Sequence, residues 1–380
     1  MEYQYIKTNR YFARVSEDIK ELGEKELETL GATDIKTVYR GIYFKAGKKV
    51  LYKIVFKTRF INRILAPIIS FAVHSDKYLY KTGKQIEWSD FLSVDETFSI
   101  NAIVIESNIK HSKFAALRLK DAIADYFLEK KGQRPSVDKN NPDIYFDLFI
   151  ERNRAIISID VSGGALHKRG YKKEAVDAPM SEILSAAIIE YSEWKGGVPL
   201  YDPFCGSGTL LCEAYIKITN TPAGILRTKL GFKKLPDFDS ELWDSVKEEE
   251  LGKIREIPEG LIWGSDISSN AVKIAKNNCM TLDNRGKIII KQRDLFKINI
   301  IQDSFIVCNP PYGIRMNKGE NLDIFYKNLG DFLKQKCKNS SAFIYFGDRK
   351  YIKKIGLRAK WKKPLSNGGL DGRLVRFDIY

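Results

Sequence analysis

Apolar and polar positions follow two different patterns along the chain, and the change falls near Gly163. Before it, strand-like and helix-like stretches are mixed without a regular order. The clearest helix is predicted for residues 112–130, where apolar side chains recur every three or four positions and Gly132 follows as a stop signal. Strands are predicted for residues 97–106, 144–150 and 155–161. This part of the chain therefore predicts a small α+β region.

Beyond Ser162-Gly163-Gly164, which we interpret as a hinge between domains, strands and helices alternate regularly. The strands are predicted for residues 198–201, 261–264, 287–291, 304–308 and 342–346. Alternation of this kind predicts an open, mostly parallel sheet that is covered by helices on both faces. Turn signals at residues 367–372, followed by a strand-like stretch at 374–380, predict an antiparallel hairpin at the C-terminal end.

The composition is that of a globular protein with a basic surface. The 380 residues include 63 lysines and arginines against 48 aspartates and glutamates, which gives a net charge of +15. An excess of this size favours a polyanionic partner, and nucleic acid is the commonest one. The densest cationic stretch, residues 350–363, contains no carboxylate, but charge alone is more typical of a solvated surface than of a binding site.

The cysteines and the apolar runs indicate the cellular compartment of the protein. The five cysteines form no CxxC pair, so neither a disulfide framework nor a zinc site is predicted, and we expect no metal ion. The apolar run at residues 64–73 is too short to span a membrane and is interrupted by Pro67. The first residues lack the apolar stretch of a signal peptide. We therefore expect a cytoplasmic protein without a membrane partner.

A loop with two glycines follows the first strand of the second part. It reads Asp202-Pro203-Phe204-Cys205-Gly206-Ser207-Gly208 and leads into a predicted helix. Glycines allow a ligand to approach the backbone, and the start of a helix offers free N–H groups. The loop lacks the third glycine of the dinucleotide motif and the Gly-Lys-Ser/Thr of phosphate-binding loops. By itself it is equally typical of an ordinary tight turn.

Carboxylates at the ends of successive strands strengthen the case for a ligand. Asp202, Asp266 and Asp294 end the first, second and third predicted strands. A single acid in such a position is more often a helix cap, but the carboxyl ends of parallel strands meet at one edge of a sheet. There, Asp266 could accept the ribose hydroxyls of a nucleoside and Asp294 could meet an adenine amino group.

The most specific motif is Asn309-Pro310-Pro311-Tyr312, directly after the fourth predicted strand. Amino groups on nucleobases are poor nucleophiles because their lone pair is delocalised into the ring. The Asn309 side-chain oxygen and the Pro310 carbonyl could each accept one N–H bond and direct the lone pair at an electrophile. The prolines restrict the backbone that carries these acceptors, and the Tyr312 ring could stack on the base.

Taken together, these motifs resemble the class I S-adenosylmethionine-dependent methyltransferases that modify exocyclic amines. The resemblance extends upstream to residues 166–171, Leu-His-Lys-Arg-Gly-Tyr, and to Ala178-Pro179-Met180 with the helix predicted at 182–191. These stretches resemble the segment that precedes the catalytic domain in THUMP-associated RNA guanine-N2 methyltransferases. Residues 45–160, which include Arg134-Pro135-Ser136-Val137-Asp138, resemble a THUMP domain.

The resemblance implies an α/β fold with a Rossmann-like class I methyltransferase domain at its C-terminal end and an RNA-binding region before it. The predicted domains are a ferredoxin-like α+β subdomain at residues 1–44, a THUMP domain at 45–164 and the methyltransferase domain at 165–380. The spacing between Asp202 and Asp266 is far greater than the ~20 residues typical of dinucleotide-binding folds. The excess falls in residues 223–260. We interpret this segment as a loop or helical excursion over the active site.

The same resemblance implies roles for individual residues. Asp202, Gly206 and Gly208 would line the methionine end of S-adenosylmethionine, while Asp266 would bind its ribose and Asp294 its adenine. The candidate cofactor-binding residues are Asp202, Phe204, Gly206, Ser207, Gly208, Asp266, Ile267, Asp294 and Leu295. The candidate catalytic residues, which would hold the target base, are Asn309, Pro310, Pro311 and Tyr312.

Several other functions share part of this pattern. Cys308, beside Asn309, raises the question of a cytosine-C5 mechanism, but a cysteine at a strand end is usually a small apolar residue. DNA adenine-N6 and protein-glutamine methyltransferases would use the same tetrapeptide, although neither needs an RNA-binding module. A non-catalytic RNA-binding assembly factor would not need intact cofactor and catalytic motifs.

The sequence therefore predicts an enzyme that methylates the exocyclic N2 of guanine in RNA, with S-adenosylmethionine as its cofactor. The predicted substrate is the 23S ribosomal RNA of the large subunit, with transfer RNA as the alternative, because THUMP-like domains occur on enzymes of both kinds. The sequence identifies no protein partner.

Overall fold

The computed structural model describes residues 2–174, 180–311 and 322–380, and the chain separates into two compact units. The first unit comprises Met1–Leu166 together with Arg227–Glu249, and the second comprises His167–Leu226 together with Glu250–Tyr380. The N-terminal unit thus includes a segment from within the predicted methyltransferase domain. Residues 227–249 thus belong to the first compact unit, although they lie beyond the predicted domain boundary at residue 165.

The elements are numbered in chain order. Up to residue 166 they are α1 (Gln4–Thr8), β1 (Arg10–Arg14), α2 (Lys20–Leu30), β2 (Thr33–Val38), β3 (Gly41–Lys45), α3 (Lys48–Lys57), β4 (Arg63–Ala72), α4 (Asp76–Lys84), β5 (Thr97–Ile105), α5 (Ser112–Lys131), β6 (Ser136–Val137), β7 (Ile144–Glu151) and β8 (Arg154–Asp160). Beyond it they are α6 (Glu182–Tyr191), β9 (Leu200–Asp202), α7 (Thr209–Thr219), α8 (Ser240–Leu251), β10 (Ile262–Asp266), α9 (Ser269–Met280), β11 (Ile289–Gln292), β12 (Ile301–Gln302), β13 (Phe305–Cys308), α10 (Leu322–Lys336), β14 (Cys337–Lys338), β15 (Ser340–Phe346), β16 (Trp361–Pro364) and β17 (Arg373–Ile379). Short 3-10 helices lie at Glu17–Ile19, Trp88–Asp90, Gly231–Lys234, Leu295–Lys297 and Arg349–Ile355.

One eight-stranded mixed sheet runs through the first unit in the order β2-β3-β1-β4-β8-β7-β5-β6. The pairs are antiparallel except those that β5 makes with β7 and β6, which are parallel. Because β1 pairs with both β3 and β4, the sheet continues across residue 45, where the sequence predicted the border between two subdomains. The long α5 matches its prediction and ends at Gly132, whose φ of 72° suits glycine.

Residues 227–249 contribute to the core of the first unit, where sequence analysis placed an excursion over the active site. Trp243 of α8 is only 4% exposed and packs edge-on against Phe56 of α3, with ring centroids 5.3 Å apart. Phe232 stacks on Tyr52, also of α3, at 4.5 Å. An aromatic cluster therefore joins this distant segment to the N-terminal part of the chain.

The predicted hinge at Ser162-Gly163-Gly164 is a packed turn. The Arg227 guanidinium donates hydrogen bonds to the carbonyls of Ser162 and Ala165, at 2.8 and 2.9 Å. A Cβ on Gly231 would lie 2.1 Å from the Asp160 carbonyl oxygen, so only glycine permits this close approach. The turn is thus held by the same segment that carries Phe232.

The second unit contains a seven-stranded sheet in the order β11-β10-β9-β13-β15-β17-β16. The five strands from β11 to β15 are parallel, as the alternating sequence pattern predicted. The residues of β13 and β15 are mostly buried, which is why these strands lack an alternating polar face. The direction of the chain changes beside β9, with β10 on one side and β13 on the other, and such a switch point creates a crevice at the carboxyl ends of the strands.

The C-terminal hairpin differs in one respect from its prediction. Strand β17 pairs antiparallel with β15 along seven residues and separates it from β16. The edge strand is therefore β16, from Trp361 to Pro364, rather than the end of the chain. Burial explains this order, since Leu374, Val375 and Phe377 of β17 are fully buried whereas no residue of β16 is buried. Within the described residues, no helix is long and apolar enough to cross a membrane.

We expect Trp243→Ala to lower the free energy of unfolding of the first unit by about 3–5 kcal/mol, because it removes a buried aromatic ring from the cluster with Phe56 and Phe232. Denaturant unfolding followed by circular dichroism measures the change. Lys247→Ala, at an exposed position of the same helix, is the matched control and should change stability by less than about 0.5 kcal/mol. Equal stabilities of the two variants would contradict the packing described.

Candidate active site

Four polar side chains lie at the carboxyl ends of four neighbouring parallel strands. In spatial order they are Asp294, Asp266, Asp202 and Asn309, which follow or end β11, β10, β9 and β13. The sheet brings together residues that are more than 100 positions apart in the chain. All the strand-end residues predicted from the sequence therefore share one edge of the sheet, at its switch point.

Asp202 is a buried carboxyl group with no cationic partner among the described residues. It is 1% exposed, and its Oδ1 accepts a hydrogen bond from the Phe204 N–H at 3.0 Å. Burial raises the pKa of Asp202 to about 8, and the neighbouring charge of Asp266 acts in the same direction. A carboxylate in this position would gain most from a ligand that supplies a positive charge.

Asp266 and Asp294 are each held by a short-range hydrogen bond of the same kind. Asp266 Oδ1 accepts the Ser268 N–H at 3.0 Å, and Asp294 Oδ1 accepts the Phe296 N–H at 3.0 Å. Each carboxylate, like that of Asp202, thus bonds the N–H two residues ahead and caps the turn that leaves its strand. The cap and ligand interpretations are compatible, because a carboxylate has further lone pairs after this contact.

The glycine loop is tied to the second strand. Asp266 Oδ2 accepts the Gly206 N–H at 3.0 Å, so this acid holds the loop as well as its own turn. Gly208, with φ of 80°, starts α7, and a Cβ there would lie 3.1 Å from the Cys279 sulfur and 3.3 Å from Ala275. The second glycine therefore permits close packing of α7 against α9, and the approach of a ligand to its backbone stays a prediction.

The remaining candidate cofactor residues differ in exposure. Ile267 is 69% exposed, whereas Leu295 is buried in the core cluster. Phe204 is partly buried and packs against Phe325 at 5.7 Å. Ser207 is buried, with its hydroxyl 3.2 Å from that of Thr209. Of this group, the apolar side chain of Ile267 is the one that solvent reaches most easily.

Asn309 presents a buried acceptor without a partner. The residue is 7% exposed, and its Oδ1 is fully buried yet makes no hydrogen bond to any described residue. The backbone beyond it is held by α10, because the Tyr326 hydroxyl donates to the Pro311 carbonyl at 3.2 Å. Tyr312, the last residue of the predicted catalytic set, lies outside the described residues, as do Ala178 and Pro179 of the upstream motif.

Cys308 is a core residue. It is fully buried in the cluster beneath α10, and burial raises the pKa of its thiol well above the ordinary value. A thiol in this environment stays protonated, which does not suit the nucleophile of a cytosine-C5 mechanism.

Asn278, a fully buried residue of α9 that makes four hydrogen bonds, is not among the residues predicted from the sequence. Its Oδ1 accepts the N–H groups of Lys173 and Glu174 at 2.8 and 3.3 Å. Its Nδ2 donates to the carbonyls of Glu174 and Ser207 at 3.0 and 2.9 Å. One side chain thus joins the glycine loop to the segment before α6. No local pattern could have revealed it, because its partners are distant in the chain.

A buried ion pair holds the same upstream segment on α7. Arg169 Nε lies 3.4 Å from Glu213 Oε1, which also accepts a hydrogen bond from the Tyr171 hydroxyl at 3.0 Å. All three residues are at most 2% exposed. The signal in the sequence was an acid inside the apolar helix Leu-Leu-Cys-Glu-Ala-Tyr, since a buried acid requires a partner.

Comparison with known families finds two matches within the chain. Residues 169–376 match the model of an RMKL-like methyltransferase domain, and residues 74–160 match that of the THUMP domain. These matches, with the observed parallel sheet, confirm the predicted fold class: a Rossmann-like methyltransferase domain after a THUMP region.

Individual relatives cover nearly the whole chain. A Synechocystis protein named "Putative RNA methyltransferase" is 34% identical over 98% of this chain and 97% of its own. The ribosomal RNA large subunit methyltransferase K/L of Syntrophotalea carbinolica is 34% identical over 97% of this chain, which spans about half (53%) of that relative. The crystal structure of SMU.472 complexed with SAH superposes with a TM-score of 0.83 at 26% identity and covers 100% of this chain and 99% of its own.

We expect Asp202→Asn to stabilise the free protein and to weaken cofactor binding. The pKa of Asp202 is raised on folding, so the folded protein binds more protons than the unfolded chain between about pH 4 and pH 8, and stability falls as pH rises through that range. Asparagine cannot ionise, so its Tm at pH 8 should be higher by at least ~2 °C. Affinity for S-adenosylmethionine should fall ~10-fold or more, because the positive end of the ligand loses its counter-charge.

Scanning fluorimetry from pH 5 to pH 8 and titration calorimetry measure the two effects, with Asp303→Asn at an exposed turn as the control. A variant that is less stable than the wild type at pH 8, or that binds the cofactor equally well, would contradict the role given to Asp202.

Asn278→Asp tests the joint between the glycine loop and the upstream segment. The aspartate places an acceptor where Nδ2 now faces two carbonyls, so affinity for S-adenosylmethionine should fall by ~10–100-fold. The affinity of the variant relative to that of the wild type should recover as pH falls, because a protonated aspartate carboxyl can again donate a hydrogen bond to a carbonyl. Calorimetry at several pH values measures this ratio. Asn270→Asp, exposed on the same helix, should show no such dependence.

Proposed function

The chain belongs to the RMKL-like methyltransferase family and carries a THUMP domain ahead of its catalytic domain, and from this premise we propose that it methylates guanine N2 in large-subunit ribosomal RNA with S-adenosylmethionine as the methyl donor. The observation that carries this proposal is the Asn309 side-chain oxygen, which is buried at the crevice of the sheet and has no hydrogen-bond partner among the described residues.

The unpartnered oxygen suits an exocyclic amine. An amino group of a nucleobase can donate one N–H bond to Asn309 Oδ1 and a second to the Pro310 carbonyl. Both contacts draw the nitrogen towards tetrahedral geometry and leave its lone pair free to attack. Because these acceptors are held before the substrate arrives, they stabilise the developing charge without reorganisation. Tyr326 supports this arrangement by holding the Pro311 carbonyl.

The residues at the crevice fit S-adenosylmethionine. The buried carboxyl of Asp202 would hold the positively charged methionine end, since no described cation neutralises it. Asp266 and Asp294, whose carboxylates are already oriented by backbone contacts, would accept the ribose hydroxyls and the adenine amino group. Bound there, the cofactor would supply a methyl group carried by a sulfonium sulfur. The sulfur is an activated leaving group because it departs as a neutral thioether. The protein's part is therefore to place the amine in line with that methyl group, and no protein nucleophile is required.

The choice of RNA as substrate depends on the THUMP domain, the net charge of +15 and the names of the relatives. Three relatives that match over most of this chain are named as RNA methyltransferases, and two of the three as methyltransferases of the ribosomal large subunit. These two are about twice as long as the part that the chain spans, so the substrate is carried over as a proposal. Ribosomal RNA as the substrate implies a cytoplasmic activity.

The substrate is tested by mass spectrometry of nucleosides from a deletion strain. We expect N2-methylguanosine to decrease in large-subunit ribosomal RNA and to return when the wild-type gene is restored, but not with the Asn309→Ala gene. A decrease confined to transfer RNA would favour the alternative substrate, and a decrease in N6-methyladenine of DNA would contradict the proposal.

Asn309→Ala should lower the rate of methyl transfer by ~10²–10³, the effect of removing one preorganised polar contact. Affinity for S-adenosylmethionine should hardly change, because the side chain is assigned to the amine rather than to the cofactor. Single-turnover transfer of labelled methyl to RNA, together with cofactor titration, separates the two effects. Asn270→Ala, at an exposed position, is the control. Transfer at the wild-type rate by the Asn309 variant would exclude this amine-methylation mechanism.

A further inference from the structure

The densest cationic stretch of the sequence begins at the same sheet edge as the candidate active site. Strand β15 is the parallel neighbour of β13, so its carboxyl end lies beside Asn309. There Asp348 accepts the Lys350 N–H at 3.0 Å and caps the 3-10 helix Arg349–Ile355. The chain then continues to the edge strand β16. Residues 349–363 therefore start at the catalytic edge and pass the level of Asp378, which is opposite Ser341 at the start of β15. They then return in the outer strand β16, where Lys362 is opposite Val375.

This stretch is in contact with the residue that holds the catalytic backbone. The Tyr351 ring stacks on that of Tyr326, with centroids 4.6 Å apart and planes at 11°. Tyr326 in turn donates to the Pro311 carbonyl. The cationic helix is thus packed on the support of the Asn309-Pro310-Pro311 backbone, and its position relative to the site is determined by buried contacts.

Three cations of the stretch are exposed and form no ion pair with a described carboxylate. They are Lys353, Arg358 and Lys362. Other cations of the stretch are paired: Lys350 with Asp348, Lys354 with Asp323 and Lys360 with Asp378.

Lys362 lies on the same side of the sheet as the 3-10 helix. Its partner across the strands is Val375, which belongs to the core cluster with Ile352 and Ile355. Lys362 and the helix that carries Lys353 therefore lie on one side of the sheet, and Arg358 lies between them in the chain. We call these three cations the basic ridge.

The aromatic residues of the stretch do not add a stacking surface. Tyr351 is buried, and Trp361 packs on Phe343 with ring centroids 5.9 Å apart. A surface that binds single-stranded bases would expose such rings. The basic ridge presents charge without exposed rings, which suits phosphates rather than bases.

We propose that the basic ridge, Lys353, Arg358 and Lys362, binds the phosphate backbone of the RNA substrate at a distance from the target nucleotide. The inference rests on the proposed function for the identity of the RNA and adds the surface that receives it. Contacts to phosphate position a nucleic acid without reading its sequence. In this arrangement the ridge holds the strand while Asn309 selects the amine, so binding and chemistry are carried by different residues of the second unit.

The test compares the full-length wild type with the triple variant Lys353→Gln, Arg358→Gln, Lys362→Gln. Affinity for a fluorescein-labelled RNA hairpin is measured by anisotropy between about 50 and 200 mM salt. Loss of three phosphate contacts should reduce the slope of log affinity against log salt by about 2–3 and weaken binding ~10-fold or more at the lower salt. Affinity for S-adenosylmethionine and the Tm should stay at wild-type values. Lys353→Glu alone should weaken binding in the same direction.

The matched control neutralises Lys273, Lys276 and Lys291, which are exposed at α9 and β11 on the opposite side of the same unit. This control variant should keep the wild-type slope of log affinity against log salt. Equal slopes for the ridge and control variants, or a wild-type KM for RNA in the ridge variant, would overturn the proposal while methyl transfer remained intact. Displacement of the hairpin by polyglutamate at equal charge would also overturn it, because the ridge would then recognise acidic chains in general.

The experiment distinguishes failure of the proposed function from failure of the basic ridge. If the wild type methylates no RNA, that result contradicts the enzyme's substrate, whereas a reduced slope in the ridge variant of the same preparation still supports the surface.

Discussion

The parallel alignment of β9, β10, β11 and β13 is the constraint on which the candidate site depends, because it brings four polar side chains to one edge of the sheet. Each acid among them bonds the backbone N–H two residues ahead, so the turn leaving the strand and the orientation of the carboxylate are set by one contact. Asp266 also holds the Gly206 N–H. The three carboxylates are therefore oriented before any ligand binds, as a site that acts by positioning requires.

Buried polar groups in the second unit fall into two kinds. Asn278 is completely satisfied by four hydrogen bonds, and the Arg169 side chain is paired with Glu213, so these residues stabilise the position of the loops. Asp202 has no described cationic partner and Asn309 Oδ1 no described donor. Leaving a buried polar atom without a partner costs about 1–3 kcal/mol. Such a cost is expected where a ligand supplies the missing contact, and both residues lie at the crevice.

The N-terminal unit is built from residues that are far apart in sequence. Trp243 and Phe232 complete an aromatic cluster with Tyr52 and Phe56, and Arg227 holds the turn after β8. The segment that interrupts the methyltransferase domain thus has a structural task in the first unit. Burial of these rings offsets the entropy lost in ordering a long segment.

Local sequence was sufficient where the physical signal is local. Helical periodicity located α5, alternating strands and helices predicted the parallel sheet, and the tetrapeptide at Asn309 with the strand-end acids indicated a methyltransferase. Distant contacts were decided only by the tertiary structure. The N–H groups that Asn278 binds lie about a hundred residues before it, and residues 227–249 join the first unit through rings whose partners no spacing reveals. The edge position of β16 likewise follows from the greater apolar burial of β17. The sequence alone located the strands of the parallel sheet and the polar residues at its edge, whereas packing decided which segments hold that edge in place, because burial depends on neighbours that the chain brings together only on folding.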